Sequence, residues 1–328
     1  MNRYWQVTME DRALAKPAAL GVSGLYTQHF GLSTAPFSLT PNRQFFFSGP
    51  SSVDALNTLI LAARSGEGFT KVVGEVGTGK TMLCRMFLSA LDKQFVTAYI
   101  PNPYLEPMTL LLAIADELGV KYDSSANQHQ VLKSLTAFLI DTFAAQQRTV
   151  VVCLDEAHAM PTESLEALRL LSNLETEKRK LLQIVLFGQP ELDARLAHPA
   201  VRQLRQRITF AARLQPMTRA QVTQYIPHRL RVAGYQGEQP LFTSRALDTV
   251  FYGSAGIPRL INILAHKSLV AAFGEGRPQV AARHVRLAIE DTESSRERYR
   301  ARRHRHLAVM TAAAGSALSA AWLLGSSL

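Results

Sequence analysis

The feature that most restricts the fold of this chain is the alternation of short apolar runs with helix-length segments between Phe69 and Leu214. The apolar runs read FTKVVG, FVTAYI, VVVCLD, LLQIVLFG and ITFAARL. They lack a regular apolar–polar alternation, as expected of strands buried on both faces. Strands that alternate with helices are typical of a mostly parallel sheet covered by helices on both faces. The sequence therefore predicts an α/β fold.

Beyond Leu214 the sequence changes to helical segments alone. We expect helices over residues 218–233, 244–252, 258–273 and 281–292, separated by turn sequences such as YQGEQP and GEGRP. A chain of 328 residues has room for two domains. The predicted divisions are an N-terminal extension over 1–24, an α/β domain over 25–214 and a helical domain over 215–295.

A glycine-rich loop, GEVGTGKT, lies between the first apolar run and the next helix and fits the pattern G-x-x-x-x-G-K-[ST]. In such a loop the glycines let backbone N–H groups point toward phosphates, and the lysine reaches the β- and γ-phosphates. The hydroxyl of the Ser or Thr binds a magnesium ion. We therefore predict a bound nucleoside triphosphate and Mg²⁺. The predicted binding residues are Gly74, Glu75, Val76, Gly77, Thr78, Gly79, Lys80 and Thr81, with Thr81 also a metal ligand.

An acidic pair, Asp155 and Glu156, ends the run VVVCLDEAH at the edge of the sheet where ligands of α/β proteins bind. We predict that Asp155 holds magnesium through water and that Glu156 polarises the attacking water, which favours hydrolysis over binding alone. The alternative is a solvated acidic pair at a helix start. Gln189 ends another strand and either contacts the attacking water or the γ-phosphate, or caps the next turn. For His158 we expect a structural or coupling role rather than catalysis.

Two further local patterns concern packing. Cys84 and Cys153 lie among apolar residues without the spacing of a metal site, so both are interpreted as small buried hydrophobes in a reducing compartment. Ser51, followed three residues later by Asp54, resembles a capping box at the start of a helix.

Arginine is unevenly distributed along this chain, whose formal net charge is +10. Residues 194–237 contain eight arginines and no acidic residue, and residues 296–305 contain six arginines. Such segments are suited to nucleic acid, to anionic lipid or to a nucleotide bound across a subunit interface.

An uncharged segment, 307–325, follows the basic segment 296–306 directly. Its nineteen residues would extend about 28 Å as a helix, against a hydrocarbon core of about 30 Å. We predict a single membrane-spanning helix there, with a surface-lying helix as the alternative. The preceding arginines would hold the rest of the chain on the cytoplasmic side of the membrane. The N-terminal residues lack the apolar core of an export signal.

Five stretches together resemble AAA+ ATPases of the ExeA, or general secretion pathway protein A, type: GEVGTGKT, VVVCLDEAH, FGQPEL, LRQLRQRITF and GIPRLIN. The resemblance covers residues 25–292, and two more stretches resemble the members that serve MSHA-type pilus biogenesis. It implies an AAA+ P-loop sheet with a helical lid, ATP as the nucleotide and the cytoplasmic face of a bacterial inner membrane. The resemblance also implies that ATP hydrolysis supports the assembly of a type IV (MSHA-like) pilus or a type II secretion-like machine. The protein would act through inner-membrane partner proteins.

The resemblance also implies a role for each matching residue in ATP hydrolysis. Lys80 and Thr81 match the first nucleotide motif, Asp155 and Glu156 the second, and Gln189 the first sensor.

Two arginines complete the implied catalytic set. Arg207 matches an arginine finger that reaches into the neighbouring subunit, although Arg202 and Arg205 remain alternatives. Arg259 in GIPRLIN matches the second sensor, carried by the lid. A shared site of this kind implies a homo-oligomeric ring or arc.

Three other functions compete with this interpretation. A DEAH-box helicase would need a second recombinase-like domain, which the helical segment after residue 214 does not provide. A regulator of a DNA transaction such as transposition is the alternative favoured by the arginines of 194–237, but no DNA-reading module is recognised and a nucleic-acid partner is not expected. A scaffold that binds nucleotide without turnover would not require Glu156.

Overall fold

The computed structural model describes residues 22–172 and 180–299. Within this range the chain forms two compact units. The first comprises Pro41–Gln215, and the second comprises residues 22–40 together with 216–299.

All five predicted apolar runs form β-strands, which belong to the first unit. They are β1 (Phe69–Gly74), β2 (Phe95–Ile100), β3 (Thr149–Leu154), β4 (Leu182–Gly188) and β5 (Ile208–Leu214). Their order in the sheet is β2-β3-β4-β1-β5, and every neighbouring pair is parallel. The predicted parallel sheet is confirmed, and the carboxyl ends of all five strands meet at one edge.

The expectation that no strand alternates in burial is wrong for β5. Thr209, Ala211 and Arg213 are exposed, whereas Leu214 is buried. β5 is an edge strand that pairs only with β1 in the described sheet. The central strand β4 is instead buried along its whole length, because layers cover both of its faces.

The helices alternate with the strands in the first unit and follow one another in the second. They are α1 (Val22–His29), α2 (Pro50–Ser65), α3 (Lys80–Ala90), α4 (Pro107–Leu118), α5 (Gln128–Gln146), α6 (Thr162–Leu171), α7 (Glu191–Leu196), α8 (Arg202–Arg205), α9 (Arg219–Val232), α10 (Ser244–Ser254), α11 (Pro258–Gly274) and α12 (Ala282–Glu290).

Two apolar layers cover opposite faces of the sheet. One contains side chains of α4, α5 and α6, such as Leu110, Leu135 and Leu165. The other contains side chains of α2 and α3, such as Leu59 and Phe87. Successive residues of β3 alternate between the layers, as the period of a strand requires. Cys84 and Cys153 are fully buried in the second layer, as predicted.

The predicted capping box at Ser51 is not formed. α2 begins at Pro50 after Gly49, and no side chain caps it. The Ser51 hydroxyl instead donates to the Arg213 carbonyl at 3.4 Å and accepts from the Gln215 backbone N–H at 3.0 Å. Ser51 therefore joins the start of α2 to the end of β5.

The second unit is helical in its described part and includes residues 22–40, of which the prediction assigned 22–24 to the N-terminal extension and 25–40 to the α/β domain. Its contacts explain this difference. The Tyr26 hydroxyl lies 3.1 Å from His266 Nδ1, the Ser33 N–H donates to the Ala233 carbonyl at 2.8 Å, and Arg229 Nε donates to the Pro36 carbonyl at 2.6 Å.

Several predictions concern residues outside the described ranges. They include residues 1–21 of the predicted extension, the basic segment beyond Tyr299 and the predicted membrane helix over 307–325. Within 22–172 and 180–299, none of the helices combines the length and apolar character needed to cross a bilayer.

Candidate nucleotide-binding site

The glycine-rich loop connects the end of β1 to the start of α3. Gly77 and Gly79 have φ angles of 80° and 101°, in the left-handed region that favours glycine. Gly79 is the residue that precedes α3, so the loop ends at the N-terminus of an eleven-residue helix. Unpaired N–H groups and the helix dipole make such a terminus suited to phosphate. The local geometry is that of a phosphate cradle.

Lys80 is buried inside this loop. Its Nζ donates to the carbonyl of Gly74 at 2.9 Å and of Glu75 at 3.2 Å, and only 5% of the residue is exposed. Burial lowers its pKa, and the negative charges of Glu156 and Asp155 oppose that shift. The Lys80 ammonium thus bonds only to carbonyl groups among the described residues. Because these partners are uncharged, the ammonium is able to shift onto phosphate oxygens.

Asp155 follows β3 and receives hydrogen bonds from three neighbours. Thr81 Oγ1 donates to Oδ2 at 2.6 Å, the Tyr99 hydroxyl donates to Oδ2 at 3.3 Å, and the Glu156 N–H donates to Oδ1 at 3.0 Å. Burial raises the pKa of Asp155, and the bond from Thr81 opposes this shift. The structure thereby brings together the two predicted metal ligands, Thr81 and Asp155.

The oxygen groups at this position fit a magnesium ion. The Thr81 hydroxyl keeps its lone pairs while its proton points at Asp155, and both groups are hard oxygen donors. No cluster of three or more His, Cys, Asp or Glu side chains capable of holding a metal occurs in the described chain. Mg²⁺ is usually bound by one or two carboxylates together with substrate phosphates and water.

Tyr99 is a site residue that the sequence analysis missed. It lies near the end of β2, paired with Cys153 of β3, and this register brings its hydroxyl to Asp155. Burial, together with the charge of Asp155, raises the pKa of Tyr99 well above its usual range. Nothing in the residues around Tyr99 predicts this contact, because it depends on strand pairing.

Glu156, His158 and Gln189 form a second group at the same edge of the sheet. Gln189 follows β4, the neighbour of β3 in the sheet. Its Nε2 lies 2.9 Å from His158 Nε2, and His158 Nδ1 lies 3.3 Å from Glu156 Oε2. His158 therefore lies between the two predicted catalytic side chains, and no local sequence pattern indicates this position.

The three predicted arginines of the first unit lie in or directly after α8, before β5. Arg207 immediately precedes β5 and its Nη1 donates to Ser172 Oγ at 3.4 Å. Ile208 pairs with Phe69 at the start of β1, whereas the phosphate loop follows the end of β1, about 20 Å away for a six-residue strand. Arg202 and Arg205 are exposed on α8. Arg259 is exposed at the start of α11 in the second unit.

The parallel sheet, the phosphate loop after β1 and the acidic pair after the non-adjacent β3 define a P-loop ATPase of the AAA+ class, an ATP hydrolase. Residues 63–196 match the AAA domain family. The chain is similar to general secretion pathway protein A of Aeromonas hydrophila, with 42% identity over 273 residues. That alignment covers 83% of this chain and 49% of the relative, so the chain spans about half the length of the relative it matches.

Solved structures share the fold at low sequence identity. Cdc6p from Pyrobaculum aerophilum has a TM-score of 0.61 at 21% identity, over 77% of this chain and 69% of that chain. The Aeropyrum pernix ORC2 protein in ADPNP-ADP complexes has a TM-score of 0.58 at 18% identity, over 77% and 72% of the two chains. The Walker-type ATPase paby2304 of Pyrococcus abyssi has a TM-score of 0.55 at 14% identity, over 78% and 75%. These similarities establish the AAA+ fold.

Proposed function

We propose that this ATPase supports the assembly of a type IV (MSHA-like) pilus or a type II secretion-like machine from the cytoplasmic face of the inner membrane. The similarity to general secretion pathway protein A over most of this chain supports the proposal. Two stretches, LSNLETEKRKLLQIVLFGQPELDARL and LYTQHFGLSTAPFSLTPN, also resemble MshM, the MSHA-type pilus biogenesis ATPase. The partners would be inner-membrane proteins of that machine.

The ATP-binding part of the proposal rests on one observation, which is that Lys80, Thr81 and Asp155 lie close together at one edge of the sheet. The backbone N–H groups of residues 74–81 and the Lys80 ammonium would bind the phosphates. Thr81 and Asp155 would hold Mg²⁺, which neutralises charge on the β- and γ-phosphates when bound. Asp155 reaches Thr81 within 2.6 Å, so these two ligands are already oriented toward each other.

Turnover requires a group that activates water. We assign this role to Glu156, whose carboxylate would accept the proton of the water that attacks the γ-phosphorus while the bond to ADP breaks. Gln189 would orient the water or contact the γ-phosphate. Arg207 would be supplied by one subunit to the nucleotide of its neighbour, and Arg259 would act from the helical unit. ATP hydrolysis would thus depend on assembly.

Two substitutions separate binding from turnover. Lys80→Ala should abolish ATP binding, because it removes the positive charge that meets the phosphates in the ground state. Glu156→Gln should keep the Kd for ATP and lower kcat by roughly 10²–10⁴-fold, the usual value of a general base. Fluorescent-nucleotide titration and phosphate release measure the two effects. Lys93→Ala, at an exposed lysine of the same unit, is the control. Hydrolysis at the parental rate by Glu156→Gln would exclude Glu156 as the water-activating group.

The membrane anchor is tested separately from hydrolysis. Segment 307–325 is uncharged and follows six arginines, which is the pattern of a helix held with its N-terminal side in the cytoplasm. After a carbonate wash, we expect the full chain in the membrane pellet and a chain truncated after Arg303 in the supernatant, with both active as ATPases. Recovery of the washed full chain in the supernatant would contradict the anchor without affecting the ATPase assignment.

The cellular role is tested by replacing the gene with variants. Cells that produce Glu156→Gln should lose surface pili or secreted proteins, because the proposed machine requires turnover and not only bound ATP. Immunoblots of surface and culture fractions measure the loss. Normal piliation and secretion in cells with a stable, hydrolysis-deficient chain would overturn the proposed role.

A further inference from the structure

His158 occupies a position between two side chains that the proposed ATPase reaction uses. It lies in a short 3₁₀ turn, Ala157–Ala159, which follows Glu156 directly. Its side chain is 20% exposed, so it is held within the unit and is not a freely solvated histidine. One ring nitrogen faces Gln189 after β4 and the other faces Glu156 after β3.

The hydrogen bond from Gln189 determines which nitrogen of the ring carries the proton. The Gln189 amide nitrogen is a donor, so His158 Nε2 must act as the acceptor at 2.9 Å. The proton of the neutral ring therefore lies on Nδ1, the nitrogen 3.3 Å from Glu156 Oε2. This tautomer puts the ring proton on the nitrogen that lies nearest the Glu156 carboxylate.

Two buried polar atoms at this point lack a hydrogen-bond partner among the described residues. His158 Nδ1 and Glu156 Oε2 are both buried and lie 3.3 Å apart, and neither forms a hydrogen bond with the other or with another described group. Glu156 also has a φ of 55°, in the left-handed region that a residue with a side chain rarely adopts. Such a conformation persists where the surroundings hold it, and His158 is the group that faces the carboxylate.

We propose, on the basis of the proposed ATPase function, that His158 is a positioning residue that links Gln189 to Glu156. It orients the carboxylate through Nδ1 and is itself oriented by the Gln189 amide through Nε2. The position of Gln189 relative to the nucleotide is thereby transmitted to the group that activates water. His158 contributes to turnover and not to ATP binding, since it contacts no residue of the phosphate loop among the described hydrogen bonds.

The test compares turnover with binding in the full chain. His158→Ala should lower kcat at least tenfold and leave the Kd for ATP within threefold of the parental value. His158→Asn places an amide near the position of Nδ1 and should restore part of kcat, because it keeps a donor for Glu156. His129→Ala, at an exposed histidine on α5, is the matched control and should leave both values unchanged.

A double-mutant cycle distinguishes positioning from a general structural role. If Gln189 acts on Glu156 through His158, then His158→Ala combined with Gln189→Ala should lower kcat hardly more than the larger of the two single changes. Fully additive losses, or parental kcat in His158→Ala, would overturn the inference. If His158→Ala does not fold, as judged by circular dichroism, the same cycle with His158→Asn decides in the same way.

The same measurements test the proposed ATPase function separately from the role of His158. A parent chain without ATPase activity, or Glu156→Gln with the parental rate, contradicts the function itself. If the parent chain hydrolyses ATP, Glu156→Gln does not, and His158→Ala keeps the parental kcat, only the role of His158 is contradicted.

Discussion

At the scale of single residues, Thr81 shows how one side chain can serve two neighbours. Its hydroxyl proton points at Asp155 Oδ2 at 2.6 Å, and its oxygen lone pairs remain for a cation. Lys80 is the preceding residue and belongs to the same first turn of α3, but its ammonium faces the loop carbonyls. In the proposed site, two adjacent residues that point in different directions would therefore supply positive charge for the phosphates and oxygen for the metal.

Two substitutions of Thr81 should distinguish the contribution of its hydroxyl from that of its methyl group. Thr81→Ala removes the proposed metal ligand and should raise the Mg²⁺ concentration for half-maximal ATPase activity by roughly 10-fold or more, the range seen when metal-site contacts are lost. Thr81→Ser keeps the hydroxyl and should stay close to the parental value. Magnesium titrations of phosphate release measure both. Equal magnesium requirements in the two variants would contradict a ligand role for Thr81.

At the scale of elements, the order of the strands assembles the site. β4 lies between β3 and β1, so the residues that follow these three strands share one edge of the sheet. Lys80 follows β1, Asp155 and Glu156 follow β3, and Gln189 follows β4. Helices α4, α5 and α6 cover one face of these strands, so their packing stabilises the sheet that carries the candidate site.

Two adjacent positions on α5 test this covering role. Leu139 is 2% exposed in the apolar layer, whereas Ile140 is 49% exposed. Leu139→Ala should lower the free energy of unfolding by about 2–5 kcal/mol through lost burial and the cavity left behind. Ile140→Ala should change it by less than about 1 kcal/mol. Urea denaturation followed by circular dichroism measures both. Similar losses for the two variants would show that α5 does not pack as described.

At the scale of the whole molecule, Arg207 lies at the edge of the sheet opposite the glycine-rich loop of the same subunit. It precedes β5, whose first residue pairs with the start of β1, while the loop follows the end of β1. Within one subunit, a strand length therefore separates the arginine from the loop. A catalytic role for Arg207 consequently requires a neighbouring subunit, as the resemblance to AAA+ ATPases implies.

A mixing experiment tests the proposed shared site. Arg207→Ala should lower ATPase activity by about 10³–10⁵-fold, the range for an arginine finger supplied in trans. When it is mixed with Glu156→Gln, activity should partly return, because some interfaces combine an intact Glu156 with an intact Arg207. Arg205→Ala mixed in the same way is the control for the neighbouring exposed arginine. Absence of recovery at every ratio, in oligomers of normal size, would exclude a trans-acting Arg207.

The sequence by itself determined the features that depend on neighbouring residues. The glycine-rich loop, the acidic pair and the five strands follow from spacing and apolar patterning within short segments, and the structure has each of them. The roles of Arg207 and Arg259 stay predictions, because one lies at the opposite edge of the sheet and the other in a separate unit.

Only the tertiary structure decided the contacts between distant segments. Ser51 reads locally as a helix cap, yet its hydroxyl bonds to the end of β5, 162 residues away. Tyr99 reaches Asp155, and His158 reaches Gln189, because β2, β3 and β4 are neighbours in the sheet. Residues 22–40 belong to the helical unit because their polar groups bond to residues beyond 216. Local patterns carry no information on such partners, since strand order and helix docking are set by the burial of the whole chain.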